Sequence, residues 1–263
     1  MKIGFFGAGN MANALASSIK SNFPEATVYV YSPGKISAKK LSDKISGIFI
    51  SELSEMPLNL DWYFLAFKPQ SLPEFSFNFS ENSKVISILA GVRLSKLHSK
   101  FGEIKIVRMM PNIPSVISAG SNLFFVPECF SDIEINNLKL ISISFGSAFF
   151  LDNEDQVDVI TPFSGSGPAL ILEFARIFES ELTSLIGSKI DSRDIVAQTF
   201  LGTSLLMKKS KLSFSDMRDQ VISKKGVTYE AMKVLDDAGI EKILHLAFIS
   251  AYKRTIDLSN GVQ

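Results

Sequence analysis

The apolar and polar positions change rhythm near Asp152. Before it, short apolar runs recur at Ile3–Phe6, Thr27–Tyr31, Ile48–Ile50, Trp62–Phe67, Val85–Leu89, Ile104–Met109, Ser121–Val126 and Ala148–Leu151. Several are β-branched or aromatic, and all are of strand length. Between them, Met11–Ser21 and Ile36–Ile45 carry helical spacing, the first ending ahead of Pro24. Such alternation predicts an α/β architecture with a mainly parallel, doubly wound sheet.

After Asp152 the runs lengthen. Pro168–Ile186, Ile195–Met207 and Ile243–Ile256 read as helices with apolar residues over broad arcs, and Tyr229–Leu235 as a shorter one. A helix that is apolar nearly all round needs cover on several sides. So many apolar faces in a few helices exceed the patch size usual for a monomer. An obligate homodimer is expected. The expected division is 1–152 for the sheet-forming part and 153–263 for a helical dimerisation part.

Composition adjusts this picture only slightly. With 27 Lys+Arg against 27 Asp+Glu and 46% hydrophobic residues among 263, a large core can form without net charge. That balance argues against nucleic acid or an anionic membrane as principal partner. Cys129 is the only cysteine, which excludes an internal disulfide and a cysteine-built zinc site. No run is long enough to span a bilayer. Gly7, Gly9, Asn10 and Asn13 interrupt the apolar start, so it does not read as a signal peptide. A soluble cytoplasmic protein is expected.

The first candidate chemistry lies at the end of the first strand. Gly7-Ala8-Gly9-Asn10-Met11-Ala12 is a G-x-G-x-x-A sequence opening the first helix. The first glycine permits a tight turn, the second admits a pyrophosphate, and Ala12 lets helix and strand pack closely. The helix N-terminus offers its amides to the anion. Dinucleotide binding is the expectation, against a glycine turn kept only for packing. At the end of the second strand, Tyr31-Ser32-Pro33-Gly34-Lys35 contains no acid to hold a free ribose. Ser32 and Lys35 suit a 2′-phosphate, so NADPH is expected, with NADH also usable.

Further clusters follow at strand and helix ends. Ala66-Phe67-Lys68-Pro69 closes a buried strand where open α/β sheets hold ligands, although Lys68 also suits a structural strand-end charge. Asn112, ending Arg108-Met109-Met110-Pro111-Asn112, is a candidate for orienting cofactor or substrate. Ser164-Gly165-Ser166-Gly167-Pro168-Ala169 allows close backbone approach, for helix packing or for substrate. Ser223-Lys224-Lys225-Gly226-Val227-Thr228 precedes a helix. Its amides can hold a carboxylate and Thr228 adds a hydroxyl donor, though a capping sequence would look the same. His98 reads as a surface residue and His245 as a core or helix-edge one. Neither belongs to a metal-ligand cluster or nucleophile motif.

Taken in order, these clusters resemble the pyrroline-5-carboxylate reductase family nearly end to end. Gly7–Ala12 is similar to its glycine fingerprint, Ala66–Pro69 to Ala-Val-Lys-Pro, and Arg108–Asn112 to Arg-Ala-Met-Pro-Asn. Ser164–Ala169 is the same as Ser-Gly-Ser-Gly-Pro-Ala. The resemblance implies a Rossmann-like domain followed by an all-helical domain that interlocks with a partner copy. It implies NADPH-dependent reduction of a cyclic imine to L-proline, the last step of proline synthesis. With the reading of the residues, the expected cofactor-binding set is Gly7, Ala8, Gly9, Asn10, Met11, Ser32, Lys35, Ala66, Lys68, Pro69 and Asn112. The expected substrate-binding set is Ser223, Gly226, Val227 and Thr228, with Thr228 catalytic through the ring nitrogen.

Two departures bear on this. The family's Ser-Pro-Gly-Gly-Thr-Thr reads Ser223-Lys224-Lys225-Gly226-Val227-Thr228 here, with Lys224 and Lys225 in place of Pro and Gly, and the upstream family glutamate is replaced by Lys211. They motivate two alternatives: a reductase acting on another cyclic imine, or a cofactor-binding sensor or scaffold of impaired activity. A hydroxyacid dehydrogenase is disfavoured, because Pro168–Leu185 lacks the lysine that would serve as base.

Overall fold

The computed structural model describes residues 1–187 and 191–259. Its first part contains β1 (Lys2–Phe6), α1 (Asn10–Asn22), β2 (Thr27–Tyr31), α2 (Lys35–Ile45), β3 (Ile48–Ile50) and β4 (Trp62–Leu65). Then come β5 (Lys84–Ser87), α3 (Leu94–Phe101), β6 (Lys105–Met110), β7 (Gly120–Phe125), α4 (Asp132–Ser142) and β8 (Gly146–Leu151). The strands form one eight-stranded sheet in the order β3-β2-β1-β4-β5-β6-β7-β8. Neighbours are parallel except β6 and β7, which run antiparallel with Met109 opposite Phe124. The chain moves outward from β1 to β3, then returns to β4 on the other side of β1. Open α/β sheets bind ligands where strand order reverses in this way.

Strand alternation builds a core on each face of the sheet. Ile3, Phe5, Trp62, Phe64, Val107 and Phe124 point to one side, packing with Ala12, Leu15 and Ile19 of α1. Phe6, Tyr63, Leu65, Val85 and Ile106 point to the other. No α-helix joins β4 to β5, only the single 3-10 turn Pro69–Ser71. Phe75, Phe77 and Phe79 cover that second face instead, with Phe6 and Phe77 centroids 4.9 Å apart and Phe79 and Phe101 5.2 Å apart. Aromatic side chains from an irregular connection take the place of an α-helix.

The remaining helices are α5 (Asp155–Ser164), α6 (Gly167–Ile186), α7 (Ser192–Lys209), α8 (Phe214–Val221), α9 (Val227–Asp237) and α10 (Ile240–Ser259). Two compact units result, Met1–Pro168 with the chain from Ala251, and Ala169–Ser250. The first unit thus extends past the boundary expected at 152. The physical reason is α5, which is held to the sheet by buried ion pairs rather than joining the later helices. The end of α10 also belongs to the first unit. A Cβ built on Gly91, whose φ is +70°, would lie 2.7 Å from the Cβ of Leu258. Of the second unit's helices, α8 and α9 contain no buried residue.

Candidate active site

Gly7 ends β1 under double constraint. Its φ is +120°, and a Cβ there would come within 2.2 Å of the Ala66 carbonyl oxygen. Its N–H donates to the Tyr31 carbonyl at 2.7 Å, tying the turn to β2. A side chain at Gly7 is therefore excluded by the protein's own backbone. Gly9 is different. It is the N-cap of α1, with no side-chain cap bond and no acid in the first helical turn. A Cβ there would meet nothing within 4 Å. Protein packing does not require glycine at this position, whereas a ligand seated on the amides would.

That open space belongs to a cavity of about 900 Å³ at the strand-order reversal. Gly7–Met11 line it, with Ser32, Pro33 and Gly34 after β2, Ala66, Lys68 and Pro69 after β4, and Met110 and Pro111 at the end of β6. It is of the size of a cofactor site. The glycine turn, the open N-cap and the volume together fit a dinucleotide.

Other expected residues are placed differently. Lys35 does not line the cavity; its Nζ donates to Glu52 Oε1 at 2.5 Å. The Glu52 hydrogen bond and charge push the Lys35 ammonium above its usual pKa. Asn112 also lies off the cavity wall and is buried. Its Nδ2 donates to the Ser164 carbonyl at 2.9 Å and its Oδ1 accepts from the Ser121 N–H at 2.9 Å. It braces the turn after β6 against the end of α5. Gly165 serves the same junction, since a Cβ there would stand 3.2 Å from Cε of the cavity residue Met110.

Beneath this junction lies a charge cluster that sequence reasoning missed. Arg108 is 4% exposed and Asp158 is fully buried. Arg108 Nη2 donates to Asp158 Oδ1 at 2.5 Å, and its Nη1 to Glu154 Oε1 at 3.2 Å. Arg93 Nη2 donates to Asp158 Oδ2 at 2.7 Å. Glu154 Oε1 also accepts the Leu94 N–H at 2.8 Å, capping α3. Burial pulls the Arg93 guanidinium pKa down, but hydrogen bonds and charge from Asp158 and Asp155 outweigh it and leave it raised. The available signal was the four-residue spacing of Glu154 and Asp158, which puts both carboxylates on one helical face.

The Ser223–Thr228 residues lie in the second unit. Gly226 is the N-cap of α9, and its N–H donates to the Ser223 carbonyl at 2.9 Å. A Cβ on Gly226 would fall 2.1 Å from Ser223 Oγ, so glycine keeps the turn closed. Lys225 holds φ at +58°, a conformation that favours glycine. Val227 is exposed, Thr228 is half-buried in the first turn of α9, and Lys211 is exposed. His245 is an exposed residue of α10, contrary to its expected core or helix-edge setting, because its helix is uncovered in a single chain. Among the described residues no His, Cys, Asp or Glu group could hold a metal ion, and no helix is long and apolar enough to cross a membrane.

A doubly wound sheet with a glycine-floored cavity, continued by uncovered helices, defines a dinucleotide-binding class of protein. The family profile for pyrroline-5-carboxylate reductase dimerisation matches residues 154–258, and that for NADP oxidoreductase, coenzyme F420-dependent, matches residues 2–91. Pyrroline-5-carboxylate reductase of Pseudomonas aeruginosa is 26% identical across 98% of this chain and 97% of its own length. The structure of a pyrroline-5-carboxylate reductase from Coxiella burnetii aligns with a TM-score of 0.85 at 26% identity, over 98% of both chains. The fold also matches the Streptococcus pyogenes 1-pyrroline-5-carboxylate reductase, at 24% identity, 98% of both chains and a TM-score of 0.89. Over nearly its whole length the chain is similar to pyrroline-5-carboxylate reductases, and residues 154–258 match that family's dimerisation profile.

Proposed function

We propose that this protein reduces 1-pyrroline-5-carboxylate to L-proline with NADPH, the last step of proline biosynthesis, as a cytoplasmic homodimer. The observation that carries this reading is the cavity built on Gly7 and Gly9 in a chain whose two halves both match family profiles. Gly7, Ala8, Gly9, Asn10 and Met11 would seat the pyrophosphate. Ser32 and Lys35 would meet the 2′-phosphate, and Ala66, Lys68 and Pro69 would form the wall after β4. Asn112 would act from behind, by bracing the turn that carries Met110 and Pro111. NADH remains usable, because most of these contacts do not involve the extra phosphate.

The cofactor, when bound, supplies the hydride that reduces the C=N carbon. The protein's share is to bind, orient and exclude water. Amides at Gly226, Val227 and Thr228, with the Ser223 hydroxyl, would hold the substrate carboxylate. The Thr228 hydroxyl would hold or deliver the proton at the ring nitrogen. Thr228→Ala is expected to lower kcat/KM at least ~10-fold, about 1.4 kcal/mol, without changing NADPH affinity. If Thr228 only helps to start α9, the substitution costs stability and leaves kcat/KM intact. Purified protein is expected to oxidise NADPH in the presence of 1-pyrroline-5-carboxylate. Absence of turnover with either nicotinamide would overturn the reading.

A second reading has its own observation. Lys225 is held in a conformation suited to glycine, and Lys211 stands where the family commonly has glutamate. Both favour a related cyclic imine as substrate. A panel of imines differing in ring size and carboxylate position, ranked by kcat/KM, separates the readings.

A further inference from the structure

We infer that Glu52 tunes the preference between NADPH and NADH by competing with the 2′-phosphate for Lys35, an inference that rests on the cofactor reading above. In the sheet register Tyr31 pairs with Ile50, so the segments leaving β2 and β3 emerge side by side. Ser32, Pro33 and Gly34 line the cavity from one segment and Leu53 from the other. The neighbours of these wall residues are Lys35 and Glu52, which meet at 2.5 Å. The second strand ends without the acid that a ribose site normally uses, but the adjacent strand delivers one to the same corner.

The geometry keeps that acid in place. Glu52 and Glu55 form a capping box in which the Glu52 side chain accepts from the Glu55 N–H. Glu55 Oε2 accepts from the Ser51 and Glu52 N–H groups and from the Ser51 hydroxyl. These bonds hold the Glu55 carboxyl below its usual pKa, so the corner carries two carboxylates against one lysine. Lys35 and Glu52 side chains are 56% and 62% exposed. An ion pair that open is weak and exchanges readily. A 2′-phosphate can draw Lys35 away, but the Glu52 carboxylate then remains near the phosphate and repels it. A ribose hydroxyl meets no such repulsion and finds an acceptor in the same carboxylate. Glu52 therefore penalises NADPH relative to NADH, while Lys35 favours NADPH.

The test is calorimetric titration of the purified assembly with NADPH and NADH, without substrate. Glu52→Gln keeps the capping acceptor and removes the charge. It is expected to raise the ratio of NADPH to NADH affinity ~5-fold or more, and Lys35→Met to lower it by a similar factor. The Glu52→Gln gain should shrink in about 0.5 M salt, as an electrostatic effect must and a steric one need not. Glu52→Lys, expected to move the ratio further in the same direction, serves should Glu52→Gln prove unstable. A wild type that binds NADPH while Glu52→Gln leaves the ratio within about twofold overturns this inference and spares the cofactor reading. A wild type that binds neither dinucleotide overturns both.

Discussion

In the first unit Trp62, Tyr63, Phe64 and Leu65 are successive residues of one strand, and all are at most 1% exposed. In the second unit Ile171, Leu172 and Phe178 lie on one helix at 55%, 65% and 51% exposure. Both regions are rich in apolar side chains, yet only one closes its core within a single chain. A sheet hides both faces when helices and loops cover it, as α1 does on one side and Phe75, Phe77 and Phe79 do on the other. The later helices have too few partners among themselves. Uncovered apolar faces of this kind suit a second copy, and the dimerisation profile matches these same helices over residues 154–258.

The largest expected effect breaks the second region. Leu172→Asp changes an exposed position, and surface substitutions ordinarily shift stability by less than about 0.5 kcal/mol. If its face is covered by another copy, two buried carboxylates enter each symmetric interface. Association should weaken by at least ~4 kcal/mol. Sedimentation is expected to show monomers, with a melting temperature that rises with protein concentration only in the wild type. Retained assembly would show that α6 is not an interface.

A substitution in the first region should behave oppositely. Arg108→Met leaves Asp158 and Glu154 without their shared partner in a buried site, at a cost of ~3–5 kcal/mol. That loss should be the same at every protein concentration. Arg108→Met with Asp158→Leu should recover part of it, because the fully buried carboxylate is removed while Arg93 keeps Asp155 and Glu154 keeps only the Leu94 N–H. Denaturant titration of both variants checks the pair.

These contrasts also mark what was legible in the sequence. The mainly parallel, doubly wound sheet could be anticipated because β1, β2 and β4 carry dense apolar runs bounded by Gly and Pro. The short helices α3, α4 and α5 were not anticipated. Their sequences are polar, and tertiary bonds such as Glu154 to the Leu94 N–H fix them. The cavity residues Gly7–Met11 were readable because the chemistry is carried by consecutive backbone. Glu52 was not readable, since its relation to Lys35 exists only through the pairing of β2 with β3. Asn112 was readable as a polar residue at a strand end, but its two partners lie far along the chain.

Gly9→Ser sharpens the comparison within the first region at smaller magnitude. Serine is a preferred N-cap, so helix α1 and the melting temperature should be unchanged or slightly improved. Its side chain would project into the open cavity, and NADPH affinity is expected to fall ~10-fold, about 1.4 kcal/mol. Equal affinity in calorimetry would mean that the dinucleotide does not lie over this turn.

The smallest effect concerns pH and a site wholly inside the first unit. Glu134 Oε1 and Oε2 accept from Lys105 Nζ at 2.9 and 2.7 Å, and Oε2 also accepts from the Ser131 N–H at 2.9 Å. Burial raises the Glu134 pKa, but the Lys105 and Ser131 bonds outweigh it and bring it to about 2. A depressed carboxyl stabilises the fold above its unfolded pKa of ~4.3 and loses that contribution as pH falls toward the folded value. The full shift converts to ~3 kcal/mol, but Lys105 is 33% exposed and solvent screening leaves about 1. The stability gap between wild type and Glu134→Gln should therefore be constant from neutral pH to about 5 and shrink progressively as pH falls below that. Urea unfolding of both proteins across this range is the measurement, and a gap independent of pH would mean that the Lys105 contact is not formed in solution.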